Sequence, residues 1–168
     1  MIGRPVVLYA VVVAVCAGLD QWIKSLVVAN MDLYDRVDLM PFLSLFHTRN
    51  TGVAFSFLSG FNDTFMVILT AFVMLFIGWL AARTGPHQYL ARLGFALILG
   101  GALGNIIDRA LLGYVVDYVL FHTRTWSFAV FNLADAFITV GAGLVVLEEF
   151  LAWRRERRHT APGQDGDG

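Results

Sequence analysis

Thr64-Phe-Met-Val-Ile-Leu-Thr-Ala-Phe-Val-Met-Leu-Phe-Ile-Gly-Trp-Leu-Ala-Ala82 runs for 19 residues without a charged side chain. A helix rises about 1.5 Å per residue, so about 20 apolar residues cross the hydrocarbon core of a bilayer. This stretch therefore predicts a transmembrane helix, and three others share its character. Val6–Leu19 is uncharged, and its pattern continues through Asp20 and Lys24 to Val28. Leu93–Ile107 is uncharged and extends from Tyr89 to Leu112. Phe128–Leu147 carries only Asp135 and can continue to Trp153. The fold class expected is a membrane all-α protein with four transmembrane helices.

The whole chain agrees. Of its 168 residues, 58% are hydrophobic and 15% charged, where soluble domains average about 45–50% and about 25%. That excludes a disordered chain. It also argues against an ordinary soluble enzyme, because a chain this short cannot hide so much apolar surface from water. A net charge of -1 argues against a nucleic-acid partner. The length suits one domain, 1–159. The polar, Gly-rich stretch 160–168 reads as a disordered cytoplasmic tail.

Basic residues orient the spans. Arg4 precedes the first, Arg83 and Arg92 separate the second and third, and Arg154, Arg155, Arg157 and Arg158 follow the fourth. The opposite loops hold only Arg36, Arg49 and Arg124. Both termini are thus expected in the cytoplasm. Val13-Ala14-Val15-Cys16 hints at a lipoprotein cleavage box, but Val15 is too bulky before such a cysteine. A retained first helix is the better reading. Cys16 is the only cysteine; it lies in an apolar run and is assigned to packing.

Two outer segments are too long for simple turns. Ala29–Asn62 mixes Asp32, Asp35 and Asp38 with apolar side chains, which suits a piece lying in the interface plane. Gly113–Thr125 contains Tyr114-Val115-Val116-Asp117-Tyr118-Val119-Leu120-Phe121, β-branched and aromatic enough for short strands. Periodicity does not separate strand from helix there.

Ionisable groups in a membrane are costly, about 2.5–3.5 kcal/mol each on insertion scales. With the topology above, Asp20, Lys24, Asn105, Asp108, Arg109, Asn132 and Asp135 all fall at the outer ends of their helices. Asp117 lies just beyond the third helix, and Asn50 and Gly52 lie in the outer loop. Asp20 and Lys24 are four apart and can neutralise each other. Asp108 and Arg109 are adjacent and point apart, so each needs a partner elsewhere; Arg109 could offer a bidentate fork. Asn105 with Asp108, and Asn132 with Asp135, are each three apart and share a face. Asp117 and Asp135 have no basic residue within four positions. Two such carboxyls at similar depth raise one pKa and share a proton, as in aspartic proteolysis. The residues alone leave two functions open, acid–base catalysis and a proton or ion pathway. His47 and His122 show no zinc spacing, and there is no G-x-S-x-G elbow. The Gly100-Gly101-Ala102-Leu103-Gly104 run is assigned to close helix packing.

Five stretches resemble the lipoprotein signal peptidases, the type II signal peptidases of bacteria. They are Asp20-Gln21-Trp22-Ile23-Lys24, Asn50-Thr51-Gly52-Val53-Ala54-Phe55-Ser56, Gly101-Ala102-Leu103-Gly104-Asn105-Ile106-Ile107-Asp108-Arg109, Val115-Val116-Asp117-Tyr118 and Phe131-Asn132-Leu133-Ala134-Asp135. They stand in the family's order and spacing, with no departure at the motif positions. The match is loose over Ala29–Thr48, His122–Ser127 and the tail. The resemblance implies a membrane-embedded aspartic endopeptidase of the bacterial inner membrane, inhibited by globomycin. Its active site would lie near the extracytoplasmic face. Its substrates would be prolipoproteins with a diacylglyceryl group on the cysteine after the scissile bond. The family's catalytic aspartates fall on Asp117 and Asp135. Asn50, Gly52, Asn105, Arg109 and Asn132 match substrate-binding positions, and Asp20, Lys24 and Asp108 match supporting ones. The implied fold adds a small β-cradle and an interfacial helix on the outer side. No cofactor or metal is implied, membrane lipid is the surrounding partner, and the chain is expected to act as a monomer. A small proton-coupled transporter or channel subunit is the rival reading; it would need polar groups across the whole membrane depth or an oligomeric pore.

Overall fold

A computed structural model describes residues 4–51 and 63–159. Their order is α1 (Arg4–Asn30), β1 (Arg36–Met40), β2 (Leu43–Asn50), α2 (Asp63–Arg83), α3 (Tyr89–Leu112), β3 (Val115–Phe121) and α4 (Leu133–His159). On length and composition, α1, α3 and α4 can each cross a membrane. The described apolar part of the remaining helix, α2, is Ile68–Arg83. Large apolar side chains stand exposed along the helices, among them Leu8, Phe72, Leu75 and Val146. Such a surface is stable where lipid is the solvent, so the chain is a multi-pass membrane protein.

α3 is the central helix and packs against α1, α2 and α4. Its glycines permit this. A Cβ on Gly100 would come within 2.6 Å of Cys16 Cβ, and one on Gly104 within 2.5 Å of Asp20 Oδ2, both on α1. Gly94 and Gly141 face each other between α3 and α4, and Gly101 lies against the Ala134 carbonyl. In lipid, where apolar burial does not drive association, close backbone approach of this kind holds helices together. The packing expected of Gly100–Gly104 and of Cys16 is thus what the structure shows. α3 ends at Gly113, whose φ of 79° lets its N–H bond back to the Arg109 carbonyl; a side chain there would strain the turn.

β1, β2 and β3 form one antiparallel sheet in the order β1-β2-β3. Leu45 opposes Val37 on one side and Val119 on the other, and Thr48 opposes Asp117. Val116 and Tyr118 of β3 pack with Val27 of α1, so the sheet sits on the end of the bundle. The stretch Gly113–Thr125 thus contains one strand, as its composition suggested. Residues 36–50 form a hairpin turned at Pro41: Val37 of β1 pairs with Leu45 of β2, and Leu43 and Leu45 pair in turn with Phe121 and Val119 of β3. The interfacial helix is not found among these described residues, and 52–62, like the tail 160–168, lie outside the description.

One buried charge lies at the other end of the bundle. Glu148 of α4 is 4% exposed, and its Oε2 accepts the Leu90 N–H of α3 at 3.1 Å. It supplies an acceptor that the N-cap Gln88 side chain does not.

Candidate active site

Asp117 sits mid-strand in β3, 2% exposed. Asn50 Nδ2 of β2 donates to its Oδ2 at 3.0 Å, and Asn132 Nδ2 donates to its Oδ1 at 2.7 Å. Burial pushes its carboxyl up to about 6, and the Asp135 charge adds to that, while the two amide donors oppose it. An Asp in water titrates near 3.9.

Asp135 is held by the start of its own helix. Asn132 is the N-cap of α4. The Asp135 N–H donates to Asn132 Oδ1 at 3.0 Å, and the Asn132 N–H donates to Asp135 Oδ2 at 3.2 Å. This reciprocal arrangement is a capping box, here with Asp in place of Glu. The other oxygen, Oδ1, accepts from Asn105 Nδ2 of α3 at 2.9 Å. Asn132 therefore binds both acids, with its backbone N–H on the Asp135 carboxyl and its side-chain amide nitrogen on Asp117. The strand places it there: Val119 exchanges backbone bonds with Phe131 at 2.8 and 3.0 Å, so α4 begins beside β3.

A second cluster lies beneath. Lys24 Nζ is 2.8 Å from Asp20 Oδ2, 2.9 Å from Asp108 Oδ2 and 2.9 Å from Asn105 Oδ1. Its three donors are thereby used. Asp20 Oδ1 accepts the Ala134 N–H of α4 at 2.9 Å. Asp108 Oδ2 accepts the Val116 N–H of β3 at 3.0 Å. The cluster joins α1, α3, α4 and β3, and Asn105 links it to Asp135. The two Asn–Asp pairs do share faces, but each amide serves an acid on another element: Asn105 holds Asp135, and Asn132 holds Asp117 as well as its own helix.

Two contributors, Gln21 and Tyr118, were given no role from the sequence. Gln21 donates to Asp108 Oδ1 at 2.6 Å and to the Gly104 carbonyl at 3.0 Å; its signal was a third polar side chain beside Asp20 and Lys24. Tyr118 accepts the Leu133 N–H at 3.1 Å. Burial pushes its phenol up to about 12, so it stays protonated. Gly104 leaves room for Asp20. Of the expected substrate-binding residues, Asn50, Asn105 and Asn132 are in the network. The Arg109 side chain has no hydrogen-bond or ion-pair partner among the described residues, and Gly52 lies outside them.

A groove of about 520 Å³ opens beside Asp135, lined by Phe121, Trp126, Phe128, Phe131 and Val140. Asp135 is part of its wall, so the acid meets an apolar, aromatic surface. At the sheet's far edge Ser44, His122 and Asp38 also approach one another. Ser44 Oγ touches Asp38 Oδ1 at 2.5 Å and His122 Nε2 at 2.7 Å. This is not a nucleophile arrangement: Ser44 is fully buried, and His122 does not lie between it and the acid.

Residues 12–151 match the family model described as signal peptidase (SPase) II. The chain belongs to the signal peptidase II family. A lipoprotein signal peptidase of Mesorhizobium japonicum is 55% identical over 154 residues, covering 92% of each chain. The one of Brucella ovis is 56% identical over 150 residues, 89% of this chain and 92% of that one. Two solved bacterial membrane enzymes share the fold. One has a TM-score of 0.77 at 26% identity over 94% of both chains. The other has a TM-score of 0.75 at 29% identity, over 83% of this chain and 90% of that one. The sequence-based assignment to signal peptidase II is therefore correct, and the chain is a membrane peptidase. All the described motif residues of this family member fall at one end of the bundle, where the sheet covers α1, α3 and α4.

Proposed function

We propose that this peptidase removes the signal peptide from diacylglyceryl-modified prolipoproteins, cutting just before the lipidated cysteine, and that Asp117 and Asp135 activate the water. The observation that carries the assignment is Asn132. This one residue donates to both carboxyls, its side-chain amide to Asp117 and its backbone N–H to Asp135, and neither acid has an ion-pair partner among the described residues. Two acids held close without a cation share a proton.

Asp117 is the buried member and keeps the proton up to about pH 6. Asp135, on the groove wall, takes a proton from water as its oxygen attacks the scissile carbonyl carbon. The Asp117 carboxyl hydrogen-bonds the carbonyl oxygen, where negative charge develops. The tetrahedral intermediate then collapses, the C–N bond breaks, and the cysteine nitrogen leaves with a proton from the pair. General acid–base work of this kind contributes about 10²–10⁴-fold. The chain's own groups suffice for these steps, with no metal or cofactor. The aromatic groove suits the apolar parts of a substrate held in lipid. A dyad at the sheet-bearing end, near the extracytoplasmic face of the bacterial inner membrane, meets the cleavage site at the bilayer surface. The distribution of arginines supports that orientation, with both termini cytoplasmic.

Purified Asp117→Asn and Asp135→Asn should each lose cleavage of a lipidated prolipoprotein, read by gel shift, while keeping the thermal unfolding of a folded protein. Normal cleavage by either variant would falsify the dyad. Cleavage that disappears on chelation and returns with zinc would overturn the metal-free chemistry.

A further inference from the structure

α1 and α2 both pack on α3 but meet each other little, and a cleft of about 460 Å³ lies between them at the end opposite the acids. Small side chains open it: Ala10 on α1, Ala82 on α2, and Ala96 of α3 on its floor, with Val13 on the α1 wall. The volume is within the about 300–1,000 Å³ of ligand pockets. The cleft is not wholly apolar. Arg92 of α3 lines it, and its guanidinium lies over the Tyr9 ring of α1 at 5.2 Å from the centroid. No carboxylate is within ion-pair distance of Arg92 among the described residues. Arg83 ends α2 nearby in sequence, and it too stacks on a ring, Trp79, at 4.3 Å, without an acid.

A stacked guanidinium keeps its N–H fork free while losing side-chain freedom. Facing an apolar cleft at a helix end, the fork is set for an anion attached to a hydrocarbon chain. We infer that this cleft binds one anionic phospholipid of the leaflet at the arginine-bearing end, its phosphate on Arg92 and an acyl chain between α1 and α2. Charge complementarity selects this occupant over a zwitterionic lipid, since basic pockets between membrane helices on that side suit anionic headgroups. The site is remote from the acids and does not depend on their assignment.

Native mass spectrometry of the purified full chain, titrated with dioleoyl phosphatidylglycerol or dioleoyl phosphatidylcholine, tests this. Phosphatidylglycerol should bind about fivefold more tightly, the value of one arginine near an anionic lipid. Arg92→Gln should bring the two lipids within twofold. Ala82→Phe, which fills the cleft from its exposed wall, should weaken both. Inorganic phosphate at equal concentration should not displace the lipid, because it lacks the chain. Equal binding of the two lipids by the unaltered protein, or a preference that survives Arg92→Gln, would overturn the inference. Displacement by inorganic phosphate would likewise overturn it, in favour of a simple anion site. All three proteins should cleave substrate in detergent, which shows that they are folded.

Discussion

Two pairs of aspartates share one hydrogen-bonded network and differ in what faces them. Asp20 and Asp108 meet the Lys24 ammonium at 2.8 and 2.9 Å, and backbone N–H groups supply further bonds. Among the described residues, the carboxyls of Asp117 and Asp135 accept from the amides of Asn50, Asn105 and Asn132 and from one backbone N–H. A buried acid opposite an ammonium is pinned, since moving it strands a charge. A buried acid opposite an amide can gain or lose a proton and keep its neighbours. The first pair joins helices; the second, under the proposed function, is the pair that exchanges a proton. The nature of the donor, an ammonium for one pair and amides for the other, separates the two kinds.

The largest effect should come from breaking the ion cluster. Lys24→Met leaves Asp20 and Asp108 buried without their cation, which costs about 3–5 kcal/mol. The variant should fail to accumulate as a monodisperse protein in detergent. If it folds normally and merely cleaves slowly, Lys24 belongs with the reactive pair.

The next effect is a pH-dependent one at Asp117. Its folded pKa, about 6, is above that of the unfolded chain, about 3.9. This group's stabilisation is therefore full below pH about 4 and is lost as pH rises through about 6, by on the order of 3 kcal/mol. Asp117→Asn removes that loss. Thermal unfolding should show the variant gaining on the unaltered protein between pH 4 and pH 7.5. A constant difference across that range would mean that Asp117 is not held protonated by its surroundings.

Gly104→Ala is smaller. The added methyl would meet Asp20 Oδ2 at 2.5 Å, an overpacking worth about 1–3 kcal/mol. Stability should fall, and cleavage should fall with it only as α4 loses its Asp20 bond. The smallest change is Asn50→Ala, which removes one donor from Asp117. A hydrogen bond contributes about 1 kcal/mol, so the cleavage rate should drop about fivefold with unfolding unchanged. A loss as complete as that of Asp117→Asn would show that Asn50 does more than position the acid.

The helices and the acids were legible in the sequence because lipid imposes a simple rule: charge is absent except where something needs it. That rule found the apolar spans and drew attention to Asp20, Lys24, Asp108 and Asp135 without any structure. It did not find the hairpin of β1 and β2, since Val37 and Leu45 are ordinary residues whose meaning lies in each other. It passed over Gln21, whose partner Asp108 is 87 positions away, and Glu148, which lies where the fourth span merges with a charged helix end. It also placed Asn105 with Asp108 and Asn132 with Asp135 by spacing, whereas Asn105 holds Asp135 and Asn132 also holds Asp117 across elements. Spacing along one helix reports which side chains share a face. Which amide serves which acid depends on how the helices and the strand meet.

The backbone bonds between Val119 and Phe131 have a further consequence. They close the chain into a ring: two residues after Asp117 it leaves, and four residues before Asp135 it returns to the same place. Residues 122–130, beyond the end of β3, are an excursion outside that ring. Its length sets how far apart the two acids are along the chain and has no bearing on how far apart they are in space. Loops of many sizes could be spliced there, carrying different aromatic walls to the groove, while the chemistry stays in place. Under the proposed function, the wall that would meet a substrate could thus vary without moving the two acids.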